Sequence, residues 1–187
     1  MAITLQGNWK AGKAYDLHTV SSAHLATDEF GHDRFDNARS EMGELVYQLK
    51  YRQNKAALPH IIMLLDAIFG VERFDVIVPV PPVNSRPLNA VELIAIALGD
   101  RRGVPVVTYA LRNAAGARLA AISDPIEREA ALADAFRLKA STRALAGKSV
   151  LVVDDLYRTG ATLRTATSVL SDKGEAAEVS VLTMTKI

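Results

Sequence analysis

Apolar positions along the chain change their spacing several times, and each change marks an element. Residues 3–20 mix β-forming side chains with Gly7 and Gly12, and Trp9, Tyr15, Leu17 and Val20 suit a hairpin turning near Ala11-Gly12. Residues 21–35 are polar and charged and read as a loop. From Asp36 the period becomes helical. Ala38, Met42, Leu45, Val46 and Leu49 fall on one face, with Asp36 or Asn37 as the cap. A second helix is predicted from Leu58 to Phe69, with Pro59 in its first turn and Gly70 just past its end.

Alternating units follow. Val76-Ile77-Val78 is a short apolar run ending in Pro79, and a helical pattern runs from Asn89 to Leu98. Val104 to Val107 is the next strand candidate. Residues 110–125 are irregular, and Ile126 to Ala135 forms a short helix capped by Asp124. Val150–Val153 reads as a strand, Ala161–Asp172 as a helix ending near Gly174, and Val179–Thr183 as a last strand. Strands alternating with helices predict an α/β fold whose parallel sheet is covered on both faces. Ligands of such sheets sit at the carboxyl ends of the strands, where both Pro79–Arg86 and Asp154-Asp155 fall.

Composition narrows the class. The 187 residues fit one compact domain, 49% are apolar, and the net charge of +1 offers no global field for nucleic acid or acidic lipid. No cysteine is present, which excludes disulfides and thiolate metal sites. The N-terminal stretch is a poor signal peptide. The apolar stretch Ile61–Phe69, broken by Asp66, is too short to span a bilayer. A cytoplasmic protein without membrane association is therefore expected.

The chemistry concentrates at residues 150–162, Val-Leu-Val-Val-Asp-Asp-Leu-Tyr-Arg-Thr-Gly-Ala-Thr. An apolar strand ending at Val153 would project Asp154 and Asp155 at its carboxyl end, and a turn there would let both face one ligand. Two adjacent carboxylates repel and call for donors or a compensating charge. Vicinal ribose hydroxyls supply the first, and Mg²⁺ on a pyrophosphate the second. Acids that merely end a strand in water are the plainer alternative. Gly160 permits positive φ and close approach to phosphate oxygens. Thr159 and Thr162 add hydroxyls, and the helix from Ala161 points its positive end at the same place. Arg158 either adds a charge to the phosphate or lines the mouth. Neither a Walker loop nor a Gly-x-Gly-x-x-Gly run is present.

This segment resembles the signature of the type I phosphoribosyltransferases, which bind phosphoribosyl pyrophosphate (PRPP). Further stretches resemble the ComF-like branch associated with competence proteins. These are Leu49-Lys50-Tyr51, Pro79-Val80-Pro81, Arg86-Pro87-Leu88-Asn89, and Arg128 followed by Ala135-Phe136. Together they span roughly residues 40–185. The chain departs from the branch at Ala90, Ala131 and Arg158, and in lacking a cysteine zinc module. The resemblance implies a doubly wound parallel sheet over residues 71–187, with residues 1–70 forming a small N-terminal hood or hairpin and helix appendage.

It also implies transfer of phosphoribosyl from PRPP to a nitrogen acceptor with release of pyrophosphate. Asp154 and Asp155 would hold the ribose and meet Mg²⁺ indirectly through the substrate. Tyr157, Arg158, Thr159, Gly160, Ala161 and Thr162 would bind the 5-phosphate. Val80, Pro81, Pro82 and Val83 would border the pyrophosphate, with Arg86 stabilising its developing charge. The amides of Val80, Val83, Asn84, Ser85 and Arg86 are the ones that prolines leave to donate. Residues 111–125, with Arg112 and Arg118, fall where the family places a mobile catalytic loop, although an ordinary surface loop fits equally. No strong general base stands out.

The competence association raises a regulatory module that binds PRPP without turnover, or a DNA-processing partner, as the alternative. An exposed second helix or hairpin would let two chains pair as a homodimer. His18, His24, His32 and His60 lack metal-ligand spacing. Trp9, Tyr15 and Phe35 suit either a hood or core packing. Lys50, Arg52 and Lys55 read as the solvated basic end of a helix.

Overall fold

The computed structural model describes residues 2–27, 33–68, 72–82, 88–114, 122, 124, 127, 131, 135–139 and 145–187, the side chains of 23–27 and 33–37 excepted. Its centre is a five-stranded sheet. In spatial order the strands are β1 (Ile3–Thr4), β2 (Gly12–Leu17), β9 (Glu178–Lys186), β8 (Ser149–Tyr157) and β5 (Val76–Pro79). β2, β9, β8 and β5 run parallel, and β1 pairs antiparallel with β2. The first turn closes through the Leu5 amide on the Gly12 carbonyl at 2.9 Å and the Trp9 indole N–H on the Leu5 carbonyl at 3.0 Å.

Strand alternation splits the core in two. Val150 and Val152 of β8, with Val179 and Val181 of β9, pack against Leu163, Ala166 and Leu170 of α4 (Ala161–Asp172). On this face Phe136 and Leu111 close the core from a small antiparallel pair, β6 (Leu111–Asn113) and β7 (Phe136–Leu138). Leu151 and Val153, with Leu182 and Met184, face the other way. They meet α1 (Glu41–Tyr51), α2 (Leu58–Asp66) and α3 (Ala90–Arg102). Both faces of the sheet are thus covered, the doubly wound α/β arrangement that the alternation of elements predicts.

The caps explain the helix boundaries. Asn89 accepts from the Glu92 amide at 3.3 Å to open α3, and Gly103 in the left-handed region ends it. Asp124 accepts from the Glu127 amide at 2.8 Å, as a capping aspartate should. Most of the helix expected over 126–135, with Arg128, lies outside the described residues, as do Gly70 and Arg118.

Four expectations change. The segment 21–35, polar enough to read as a loop, contributes to β3 (Thr19–Thr27) and β4 (Asp33–Arg39), an antiparallel pair separate from the main sheet. Ladder hydrogen bonds need only backbone, so a polar sequence without an apolar face still pairs. The cap of α1 is Ser40, whose hydroxyl accepts from the Gly43 amide at 3.0 Å, because Asp36 and Asn37 are taken into β4. Val104–Val107 does not form a strand and meets the edge of β5 through a single bridge, Val106 to Ile77. Finally, β8 does not stop at Val153. Its ladder with β9 continues through Asp154↔Thr183 to Tyr157↔Lys186.

α1 approaches the start of β3 closely because residue 43 has no side chain. A Cβ there would lie 2.5 Å from the His18 carbonyl oxygen. Gly43→Ala gains about 1 kcal/mol of helix propensity, yet this overlap is expected to leave the protein about 1–3 kcal/mol less stable. Urea denaturation of the two proteins checks the sign.

Candidate functional site

The carboxyl ends of β5 and β8 open into a cavity of about 390 Å³. From β8 it takes Asp154, Asp155 and Leu156, and from the turn into α4 it takes Arg158 and Thr162. Val80, Pro81 and Pro82 close it from the end of β5, and Lys50 reaches in from α1.

Because β8 stays extended through the acids, Asp154 and Asp155 do not turn together. Continued alternation puts Asp154 on the α4 side and Asp155 on the α1 side. Both still border the cavity, which wraps the strand end. Each is only 9% exposed, and the two are neutralised differently. Asp155 is ion-paired with Lys50. Asp154 accepts the Asp155 amide at 2.8 Å and, among the described residues, forms no ion pair of its own. Its burial, and then the neighbouring Asp155 charge, push its carboxyl well above the usual carboxylate range. Lys50 is therefore not a solvated helix end. It is the cation that permits a second buried acid, and only the Leu-Lys-Tyr resemblance pointed to it.

The loop Tyr157–Thr162 is built around Gly160, which sits at φ 80°, ψ 0° immediately before α4. A Cβ at Gly160 would lie 2.8 Å from the Tyr157 ring and 3.0 Å from the Arg164 guanidinium. Tyr157 therefore lies against the loop and packs on the core, rather than lining the cavity. Arg164 donates to the Thr159 carbonyl at 2.9 Å, and the Thr159 hydroxyl accepts weakly from the Ala161 amide at 3.4 Å. The first helical bond of α4 is made by the Arg164 amide on the Gly160 carbonyl at 2.8 Å. The Thr162 and Leu163 amides precede it, at a helix end whose partial charge is positive. A helix start of this kind leaves amides and a positive partial charge that can receive an anion.

On the β5 side the Val80 amide is not free, because it donates to the Val153 carbonyl at 2.9 Å. Pairing with β8 takes it up before any ligand can. Val83 and Arg86, with Asn84 and Ser85, lie outside the described residues. Among the described residues no group of three His, Asp or Glu side chains is gathered to hold a metal, and no helix is long and apolar enough to cross a membrane. A larger opening at the amino ends of the strands, lined by Glu72 and Arg73, is crossed by ion pairs from Asp66 to Arg101 and Arg102 and has none of these features.

No protein-family model matches the chain, and no curated protein matches it. Solved structures do. Over 84% of this chain the glutamine PRPP amidotransferase from B. subtilis, complexed with ADP and GMP, superposes with a TM-score of 0.52 at 19% identity. The chain spans about a third of that enzyme, 34% of its length. The fold is that of the type I phosphoribosyltransferases. Adenine phosphoribosyltransferases from Thermoanaerobacter pseudethanolicus and from Saccharomyces cerevisiae each superpose over 89% of the chain at 15% identity, with TM-scores of 0.49. They are covered over 95% and 84% of their own lengths, respectively.

The raised Asp154 carboxyl has a consequence for stability. A folded-state value above the unfolded one favours folding while the group is protonated. That contribution is full below the unfolded value of about 3.9 and is lost as pH rises through the folded value. Asp154→Asn removes the burden, so the ligand-free variant is expected to melt higher than the parent at pH 8. The gap should vanish near pH 4. Thermal melts across that range check it, and equal melting at pH 8 counts against it.

Proposed function

We propose that this protein binds PRPP and transfers its phosphoribosyl group to a nitrogen acceptor, releasing pyrophosphate. One observation carries the reading: the glycine-capped start of α4 and two buried acids, all from one strand-to-helix segment, border a single cavity with Val80–Pro82. The 5-phosphate is assigned to the Arg158–Thr162 loop, the ribose hydroxyls to Asp154 and Asp155, and the diphosphate to the Val80–Pro82 side and the residues that follow, including Val83 and Arg86. The cavity volume is within the range for small-molecule sites, about 300–1,000 Å³.

Displacement at C1 leaves little covalent work for the protein. Positioning and charge stabilisation dominate. As the bond to pyrophosphate breaks, the sugar ring gains positive charge, and the two carboxylates below it favour that state. Mg²⁺ fits the donor set in one way. It prefers one or two carboxylates plus phosphate oxygens and water over an all-protein cage, and Asp154 and Asp155 offer no more than that. Bound with the substrate, it would neutralise charge on the departing pyrophosphate.

Lys50 supports the ComF-like affinity, because the Leu49-Lys50-Tyr51 motif delivers its cation to Asp155. The same ion pair favours a second reading, a regulatory module that holds PRPP without turnover, since Lys50 already occupies the carboxylate a ribose would use. A DNA-processing partner belongs to that reading, as does a cytoplasmic setting to both.

Calorimetric titration with PRPP tests the proposal. The parent chain is expected to give saturable heat with Mg²⁺ and at least tenfold weaker binding after EDTA. Gly160→Ala, which forces a Cβ into a positive-φ position at about 1–3 kcal/mol, is expected to weaken binding about tenfold or more. Absence of heat from the parent refutes the proposal. Heat without pyrophosphate release across acceptors selects the silent module.

A further inference from the structure

The turn between β8 and α4 buries a donor that has no acceptor. Gly160 is buried, yet among the described residues its amide donates to no protein atom. Buried backbone N–H groups are nearly always paired, so one left open in a turn beside a cavity is aimed at something the protein does not supply. The next amide, that of Ala161, has only the weak contact with the Thr159 hydroxyl at 3.4 Å. A left-handed residue followed by a helical one turns successive amides to one side, the concave arrangement that receives anions.

The direction of the Gly160 amide is set by the peptide plane that joins it to Thr159. In a trans peptide the carbonyl and the N–H point opposite ways. The Arg164 guanidinium donates to the Thr159 carbonyl at 2.9 Å. The carbonyl is thereby held on the Arg164 side and the Gly160 N–H on the other. Arg164 is tied at its backbone too. Its own carbonyl accepts from the Asn8 side chain at 3.0 Å, and the same Asn8 nitrogen donates to the Ser168 hydroxyl at 2.9 Å. The Tyr157 ring and the Arg164 guanidinium fill the space on the Cβ side of Gly160, which closes that side of the turn. Arg164 does not border the strand-end cavity, whereas Arg158 and Thr162 do. Were the peptide to flip, the Thr159 carbonyl oxygen would take the place of the N–H and repel an anion.

On the phosphoribosyl reading of that cavity, which it presupposes, we propose that Arg164 is a positioning residue for the 5-phosphate loop: it holds the Thr159–Gly160 peptide with its carbonyl outward and so keeps the Gly160 amide aimed at the phosphate. Arg164 acts through the backbone and not as a contact to the ligand. A side chain that carries a donor to the Thr159 carbonyl does the same work, and Lys is long enough. Met fills the same path without a donor and leaves the peptide free to turn.

The test uses the full chain labelled with ¹⁵N in glycine, the Gly160 signal being assigned by its loss in Gly160→Ala, and PRPP with Mg²⁺ as the probe. In the parent the Gly160 amide signal is expected to move saturably with PRPP. Arg and Met have nearly equal helix propensity, so Arg164→Met keeps α4. Without ligand its Gly160 signal is expected to differ from the parent's, and PRPP to bind about tenfold or more weakly, as the loss of one hydrogen bond to a charged group produces. Arg164→Lys is expected to return the signal and to bring affinity within about threefold of the parent. An Arg164→Met chain that binds PRPP as the parent does overturns the inference. So does one that binds more weakly while its ligand-free Gly160 signal is unchanged, because Arg164 would then touch the phosphate itself. Failure of Arg164→Lys to restore binding overturns it, as does a parent that binds PRPP while its Gly160 signal stays still. A parent that gives no heat with PRPP overturns the phosphoribosyl reading itself.

Discussion

Two carboxylates on successive residues of a buried strand repel each other and lose most of their hydration, and the structure must answer both penalties. It does so asymmetrically. Lys50 crosses from α1 to neutralise Asp155, while Asp154, on the opposite face, is left to raise its affinity for a proton. The strain is local and costly, and nothing in the packing of β8 requires acids at these positions. Valines fill the same strand two residues earlier on each face. Such an arrangement is expected where a ligand supplies what the protein leaves out.

The parallel sheet makes the arrangement possible. β5 and β9 hold β8 on both sides, so the acids emerge at a rigid edge, and the chain passes at once into α4 through Gly160. The amides of the first helical turn and the carboxylates of the last strand residues therefore lie within one continuous segment. Sugar phosphates combine an anion with nearby hydroxyls, which is the complement of that segment. Lys50 and Asp155 line both the larger cavity and the smaller one carrying His18.

Much of this was legible from residues. Ala161–Asp172 emerges with the boundaries that its periodicity predicts, and Asp124 accepts the Glu127 amide as a capping residue does. The apolar runs at 76–78 and 150–153 are strands because both faces of a covered sheet want apolar side chains. What was not legible depended on partners far along the chain. β3 and β4 are polar and show no apolar alternation. β8 runs past its valines because β9 offers backbone to Asp154 and Tyr157, which no local pattern records. Lys50 looked solvated because its partner is 105 residues away. His18 had no metal-ligand spacing, and the hydroxyl its ring meets, on Thr185, lies 167 residues on.

The claim that the acids form a sugar-phosphate site can be read directly at Asp154. Carboxyl ¹³C shifts of aspartate-labelled protein, followed across pH with and without PRPP and Mg²⁺, report both its proton and its ligand. The account predicts an Asp154 signal that titrates above the ordinary carboxylate range in the free chain and moves saturably with PRPP. A signal that titrates as an exposed aspartate does, and is indifferent to PRPP, would contradict it.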